Sequence, residues 1–515
     1  MSRSRQPGSL PAIFVHAGAG FHSHHNEKAH LEACDNAAKV AMAVLRAGGS
    51  AVDAVEIAIV TLENHEITNS GYGSNLTING TVECDATIVD HLGRSGAVGA
   101  VEQVKNPISL ARVILNHSTI ELSLNRVPPN FLVGMGATDY AYENGLVTLH
   151  DDGLISPAAK ERWLRWTEEL RNAHRDDETS LRTDNITPYL RRPIKMHPAH
   201  LLATPRSLGS ESPVNSPIFS GTTESQRHFS GGSHNTLEIQ ELGHSPGICS
   251  NSGQPASSKV RDPRCVKESE FLDIQKNDDA DPCCTDRKLP TQTSTSGNAS
   301  NVANDGASKH DAITDNITDT VGAIAVDAKG NIAAGSSSGG IGMKRRGRVG
   351  PAALVGIGTA VIPEDPNDPD GTCVAVVTSG TGEHIATTIA ANTCASRIYH
   401  SQRKGEDGTY EDITEEEAMH EMIATDFMGH PGVVNSHCHG AIGIMAVKKT
   451  THGVFLYFGH NTESFALASM TSQDNKPMCV MSRSNGEGRI AQGGRACRNR
   501  RYRVRRLPAY TDLRQ

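Results

Sequence analysis

The sequence lacks most of what would mark a protein for a membrane, for nucleic acid or for an oxidising compartment. No run approaches the ~18 consecutive apolar residues of a membrane span. The start, Met1-Ser2-Arg3-Ser4-Arg5-Gln6-Pro7, carries no apolar core of a secretory signal. Positive charge is not in excess: 49 Lys and Arg stand against 58 Asp and Glu, a formal net charge of -9, whereas binding nucleic acid calls for a basic surface. The 11 Cys are odd in number, run from Cys34 to Cys497 and form no Cys-x-x-Cys pair, so free thiols in a reducing compartment are expected. Together these absences point to the cytoplasm, the nucleus or both, with neither membrane nor nucleic acid as a partner. The local exception is a basic tail, about 495–515, with Arg495, Arg498, Arg500, Arg501, Arg503, Arg505 and Arg506. It reads as an import signal or a polyanion contact, or more simply as a solvated tail. His22-Ser23-His24-His25 and His437-Cys438-His439 invite a metal, but no third partner at ligand spacing completes either set. No metal and no cofactor is expected.

A chain of 515 residues has room for two to four domains, yet its pattern is that of one large domain with a long insert. Ala12 to His16 reads as a buried strand closed by a tight turn at Ala17-Gly18-Ala19-Gly20. Leu31, Cys34, Ala38, Met42 and Leu45 predict a helix from about Lys28 to Ala47, stopped at Gly48-Gly49. Ser50 then caps a second helix with Val52, Val55, Ile59 and Leu62 on one stripe. A Gly- and Asn-rich loop, Thr68 to Asn75, precedes strands at Thr81 to Val89 and Gly96 to Val101. Helices follow near Ile108 to Asn116, Met135 to Glu143 and Ala158 to Ala173. From about 175 to 315 the periodicity vanishes into Ser, Thr, Asn, Gly, Asp and Pro, which reads as a disordered insert. Beyond it, strands are expected at Thr320 to Val326, Asn331 to Ser336, Thr372 to Thr378, Ile442 to Lys448, Val454 to Gly459 and Phe465 to Thr471. Helices are expected at Glu383 to Ser401 and Thr414 to Met428. Each half supplies sheet and helices, which fits an α+β fold of two stacked sheets covered by helices on both sides.

The abrupt return of order at Asp319-Thr320-Val321-Gly322 gives Thr320 a chemical use. An alkyl hydroxyl is a weak nucleophile near neutral pH. If the bond before Thr320 is cut, the residue gains an α-amine, titrating near ~8, that can take the hydroxyl proton. The plain alternative is that Thr320 is only the first residue of a strand. The segments that follow favour the chemical reading. In Ser336-Ser337-Ser338-Gly339-Gly340, the period of two puts Ser336 and Ser338 on one face beside Thr320. In Ser379-Gly380-Thr381-Gly382-Glu383-His384, a strand ends in a glycine loop opening a helix, a place for oxyanion donors. Arg348, in Lys344-Arg345-Arg346-Gly347-Arg348-Val349-Gly350, suits a bidentate grip on a carboxylate. Asp85 reads either as a second acid or as a buried carboxylate satisfied by backbone donors.

In this order and spacing the segments resemble the N-terminal-nucleophile hydrolases of the type 2 asparaginase family, most nearly its threonine aspartase (taspase) branch. The resemblance covers about 12–174 and 320–480 and includes His16-Ala17-Gly18-Ala19-Gly20, Gly73-Ser74-Asn75-Leu76, Glu83-Cys84-Asp85-Ala86 and Asn106-Pro107. It implies a four-layer αββα sandwich and self-cleavage between Asp319 and Thr320. The α part would be 1–319 and the β part 320–515, the fragments remaining together, usually as a dimer of such pairs. It further implies Thr320 as nucleophile, Ser338 as its hydroxyl neighbour, Ser379 and Gly380 as the oxyanion region, with Thr381 and Gly382 beside the substrate, and Arg348 as carboxylate clamp. The family's asparaginases carry Gly before the nucleophile and, three residues past the clamp, an Asp that holds a substrate α-amine. This chain has Asp319 and Pro351, and a proline side chain offers an ammonium no counter-ion. The expected substrate is therefore an Asp inside a polypeptide. The branch's further Lys is Asn26 here, with Lys28 nearby as its stand-in. The alternatives are an L-asparaginase or isoaspartyl peptidase, and a chain that never matures and acts as a scaffold through its insert.

Overall fold

The computed structural model describes residues 9–180, 319–405, 407–484 and 488–498. In chain order they begin with β1 (Ala12–Gly20), α1 (Glu27–Arg46), α2 (Ala51–Glu63), β2 (Cys84–Val89), β3 (Ser95–Val101), α3 (Pro107–His117), β4 (Phe131–Val133), α4 (Gly134–Glu143) and α5 (Pro157–Ser180). After residue 319 come β5 (Val321–Val326), β6 (Ile332–Ser338), β7 (Thr359–Ile362), β8 (Cys373–Gly380), α6 (Gly382–Thr387) and α7 (Ala390–His400). A small hairpin, β9 (Gln402–Lys404) and β10 (Tyr410–Asp412), leads to α8 (Glu415–Glu421) and α9 (Pro431–Val434). The chain closes through β11 (Ile442–Thr450), β12 (Gly453–His460), β13 (Ser464–Thr471), β14 (Met478–Arg483) and β15 (Ala491–Arg498).

Eight strands form one sheet in the order β14-β13-β1-β5-β6-β2-β3-β4, and five form another in the order β15-β12-β11-β8-β7. Pairing is antiparallel except between β3 and β4. The period of two sorts each strand's side chains between layers. Ile13, Val15, Val321, Ala323 and Ala325 pack with α1, α2 and α3 on the outer face of the larger sheet. Phe14, Ile324 and Val326 meet Ala375, Val377, Met445 and Val447 between the sheets. Val374, Val376, Ile442 and Ile444 turn outward to α7 and α8. The central strands of both sheets are thus buried on both faces, which is why they read as unbroken small apolar runs, and the expected αββα sandwich is what the chain forms.

Several local expectations need correction. The turn expected at Ala17–Gly20 is strand: β1 continues, with a bulge between His16 and Ala19, because Ala19 and Gly20 still pair with Phe465 and Ser464. The helix expected over 383–401 breaks at Ile389, whose φ is 49°. Amides at the start of α7 bond the loop carbonyls of Ile357 and Gly356 (3.2 and 2.8 Å), so α7 starts anew instead of continuing α6. The helix expected over 414–428 changes at Met422 into a π-helical turn, Met422–Met428. β14 and β15 are additional strands. Arg495 and Arg498 belong to β15 instead of a tail, and Arg495 donates to both Asp474 oxygens (2.9 and 2.8 Å). The other tail arginines lie outside the described residues. The insert expected from 175 also lies outside them, save for the stretch to Ser180, where α5 continues.

Candidate active site

Thr320 lies where the two sheets meet. Its amide donates to Ser379 Oγ on β8 at 3.2 Å, and its carbonyl accepts from Gly18 N on β1 at 3.0 Å. The same Ser379 hydroxyl accepts from Ala19 N at 3.2 Å. With both lone pairs engaged, what Ser379 retains is its one O–H donor. Directly before Thr320, the Asp319 side chain is buried, 3% exposed. It lies over Gly18, whose φ of +85° and missing Cβ admit it; a Cβ there would overlap the Asp319 carboxyl. Asp319 Oδ2 is 2.9 Å from Nε2 of the fully buried His22.

The three serines of β6 divide by the strand's alternation. Ser337 pairs with Val321 in the hairpin register, so Ser338 stands opposite Thr320, one step past the last pair. Ser338 Oγ accepts from Gly340 N at 3.0 Å. Ser336 is engaged elsewhere, 2.7 Å from Thr359 Oγ1 on the other sheet, so of the two serines expected beside the nucleophile Ser338 is the one in place. Ser337 points the opposite way and donates to Glu63 Oε1 at 2.7 Å. Glu63, fully buried at the end of α2, also accepts from Ile108 N and Asn106 Nδ2 (3.0 and 3.1 Å), while burial raises its pKa from 4.5 to about 8. Sequence reasoning missed Glu63, although its place four residues after Ile59 puts it on the apolar stripe. The Asn-rich loop braces the same turn: Asn69 Nδ2 donates to the Gly340 carbonyl and the Asn69 carbonyl accepts from Gly339 N, both at 2.8 Å.

Arg348 is carried by a turn that two carboxylates of the β2 segment hold. Glu83 Oε2 accepts from Gly347 N at 2.9 Å, and its carbonyl accepts from Lys344 Nζ at 2.8 Å. Asp85 accepts from Gly350 N and Ala100 N at 2.7 and 2.8 Å. Its role is structural, and burial raises its pKa. The Arg348 guanidinium sits among Gly340, Gly350 and Gly382; a Cβ at these positions would stand 3.0, 2.7 and 2.5 Å from its nitrogens. Its Nε and Nη2 both donate to Glu383 Oε1 (3.0 and 2.9 Å). Arg348 therefore borders both the Ser338–Gly340 turn and the loop after Ser379, and it already binds a carboxylate.

Not every expected group joins the cluster. Lys28 is 87% exposed on α1 and faces Glu32 at 3.6 Å, not Arg348. The Thr381 amide is engaged by the Ala441 carbonyl at 2.8 Å, which removes it from the donors the loop could offer an oxyanion. Among the described residues no group of three or more His, Cys, Asp or Glu could hold a metal ion. The histidine run near the start divides instead, His22 inward and His24 and His25 outward. His16 is fully buried, its pKa lowered to about 3 by burial. Its ring occupies the space beside Gly322, where a Cβ would overlap Nε2, which explains the Gly of Thr-Val-Gly.

The asparaginase family profile matches residues 9–191 and 270–466. An isoaspartyl peptidase/L-asparaginase of Mus musculus is 38% identical over 151 residues, 29% of this chain and 44% of that protein. Proteins of the same name from Danio rerio and Homo sapiens are 38% identical over 159 residues and 39% over 154, each 30% of this chain and 48% and 47% of theirs. The chain spans less than half the length of these curated relatives.

Proposed function

The chain belongs to the asparaginase family, and from that premise we propose that it is a self-activating threonine hydrolase whose nucleophile is Thr320. In the precursor, the Thr320 hydroxyl adds to the Asp319 carbonyl carbon, the C–N bond breaks as the nitrogen takes a proton, and an ester links Asp319 to Thr320 Oγ. Water hydrolyses that ester to leave a carboxylate on Asp319 and a free α-amine and hydroxyl on Thr320. The parts 1–319 and 320–515 then remain together because the larger sheet takes strands from both sides of the cut. In turnover the α-amine accepts the hydroxyl proton, Ser379 Oγ–H and the Gly380 segment face the oxyanion, and Arg348 grips the substrate carboxylate. The observation that carries this reading is the 3.2 Å contact of the Thr320 nitrogen with Ser379, immediately after a buried Asp319.

Two substrate classes fit an Arg clamp. The first is a polypeptide cut after an internal Asp, because Pro351 follows the clamp with no charge for a substrate ammonium. The second is asparagine or an isoaspartyl peptide, favoured by the relatives' names. Wild type and Thr320→Ala are expressed side by side, the fragments are sized, and the new N-terminus is sequenced. A start at Thr320, absent from the variant, is expected; an intact wild-type chain, or a cut that persists in the variant, overturns self-activation. The mature form is then given an internal-Asp peptide, free asparagine and an isoaspartyl peptide. Hydrolysis of the latter two alone replaces the first substrate class by the second.

A further inference from the structure

The carboxylate before the scissile bond and the carboxylate clamp do not meet. Asp319 contacts His22, whereas Arg348 holds Glu383. Resting on the reading of Thr320 as a self-cleaving nucleophile, we infer that maturation and turnover use different carboxylate receptors: His22 positions Asp319 for self-cleavage, and Arg348 serves substrates afterwards.

The chemistry requires two places. During self-cleavage the attacked carbonyl is bonded to the Thr320 nitrogen. During turnover that nitrogen is a free amine beside the hydroxyl, so the substrate carbonyl must approach from elsewhere and its side chain cannot reuse the Asp319 position. The surroundings of His22 suit a receptor for one fixed carboxylate. Its Nε2 faces two acceptors, Asp319 Oδ2 at 2.9 Å and the Ala17 carbonyl at 3.1 Å, so this nitrogen carries the hydrogen. Nδ1 is 2.8 Å from Ser464 Oγ, and that hydroxyl also accepts from His22 N at 2.9 Å. Whether Ser464 donates to Nδ1 or accepts from it, Nε2 keeps its hydrogen, which the Ala17 carbonyl accepts, while Asp319 Oδ2 rests against the same nitrogen at 2.9 Å. The His30 ring stands edge-on to it, centroids 4.4 Å apart, and Arg483 Nη2 donates to the His22 carbonyl at 3.2 Å. His22 touches neither the hydroxyl nor the scissile carbonyl in this arrangement; it is a positioning residue, acting through the Asp319 side chain on the bond next to it.

The test follows appearance of the Thr320-start fragment from the full chain over time. His22→Ala is expected to slow it at least tenfold, and His22→Gln, which can still offer an N–H, to recover part of that loss. Arg348→Ala is expected to mature within threefold of wild type. A merely structural histidine is distinguished by a double-variant cycle: with Asp319→Gly, adding His22→Ala is expected to change the rate less than twofold. Maturation of His22→Ala at the wild-type rate, an equal loss in the Asp319→Gly background, or failure of Arg348→Ala to mature overturns the inference alone. Splitting of Thr320→Ala overturns the reading beneath it.

Discussion

The two carboxylate contacts of the site differ in solvent access. Asp319 and His22 are 3% and 0% exposed, whereas Glu383 is 60% exposed beside an Arg348 that is 17% exposed. A buried pair has no water to exchange with and holds one geometry. A pair with an exposed member is screened and readily replaced. The difference suits a carboxylate that must be fixed once, on the one side, and a clamp whose resident carboxylate has to give way to incoming ones, on the other.

The largest way to break this contrast is to remove the clamp. Arg348→Ala is expected to lower kcat/KM of the mature form by about 10²–10³-fold, in line with a charge-assisted contact to a carboxylate. Arg348→Lys should recover little, since an ammonium lacks the planar fork. Steady-state kinetics on the accepted substrate measures both. The cradle comes next. In Gly382→Ala the added methyl would stand 2.5 Å from Arg348 Nη2, displacing the guanidinium at a cost of about 1–3 kcal/mol. The expected result is a raised KM with the melting temperature lowered by a few degrees.

Burial itself is sharpened by Glu63, whose folded-state pKa is raised from 4.5 to about 8. A carboxyl that holds its proton more tightly when folded contributes stability that is fully present below its ordinary pKa and lost as pH rises through the raised one. Melting temperature is therefore expected to fall from about pH 5 to about pH 9, and Glu63→Gln to flatten that fall. An unchanged slope would assign the dependence to other groups. The smallest effect belongs to Glu383→Gln. Its exposed carboxylate contributes less than about 1 kcal/mol, so binding of a simple dicarboxylate such as succinate, followed by calorimetry, should change by less than about fivefold.

Helices α1 and α2 and the strands β5 and β6 could be read from the sequence because their buried positions recur at helical or strand spacing, and because Ser50 marks a cap. The α2 cap is the capping box itself, Ser50 with Asp53. The break at Ile389 could not be read, since the carbonyls of Gly356 and Ile357 that draw the start of α7 come from another part of the chain. β14 and β15 escaped for a related reason: they lie at sheet edges, where mixed polar residues are tolerated. In the site, Arg348 and Ser379 could be picked out because glycines flank them, and Ser338 because of its place in the hairpin. Lys28 could not be placed, because sequence proximity to a turn does not tell on which face of a helix a side chain emerges.

The sequence by itself determined the layered architecture, the position of Thr320 at the head of a buried strand, and the glycines around Arg348, since these follow from local periodicity and backbone sterics. Only the tertiary structure decided which carboxylate each cation meets. Pairing β1 with β5 sets Asp319 over Gly18 within reach of His22, and the turn held by Glu83 and Asp85 carries Arg348 to Glu383. Contacts between residues so far apart in the chain are fixed by strand register and loop anchoring, not by the residues' own preferences.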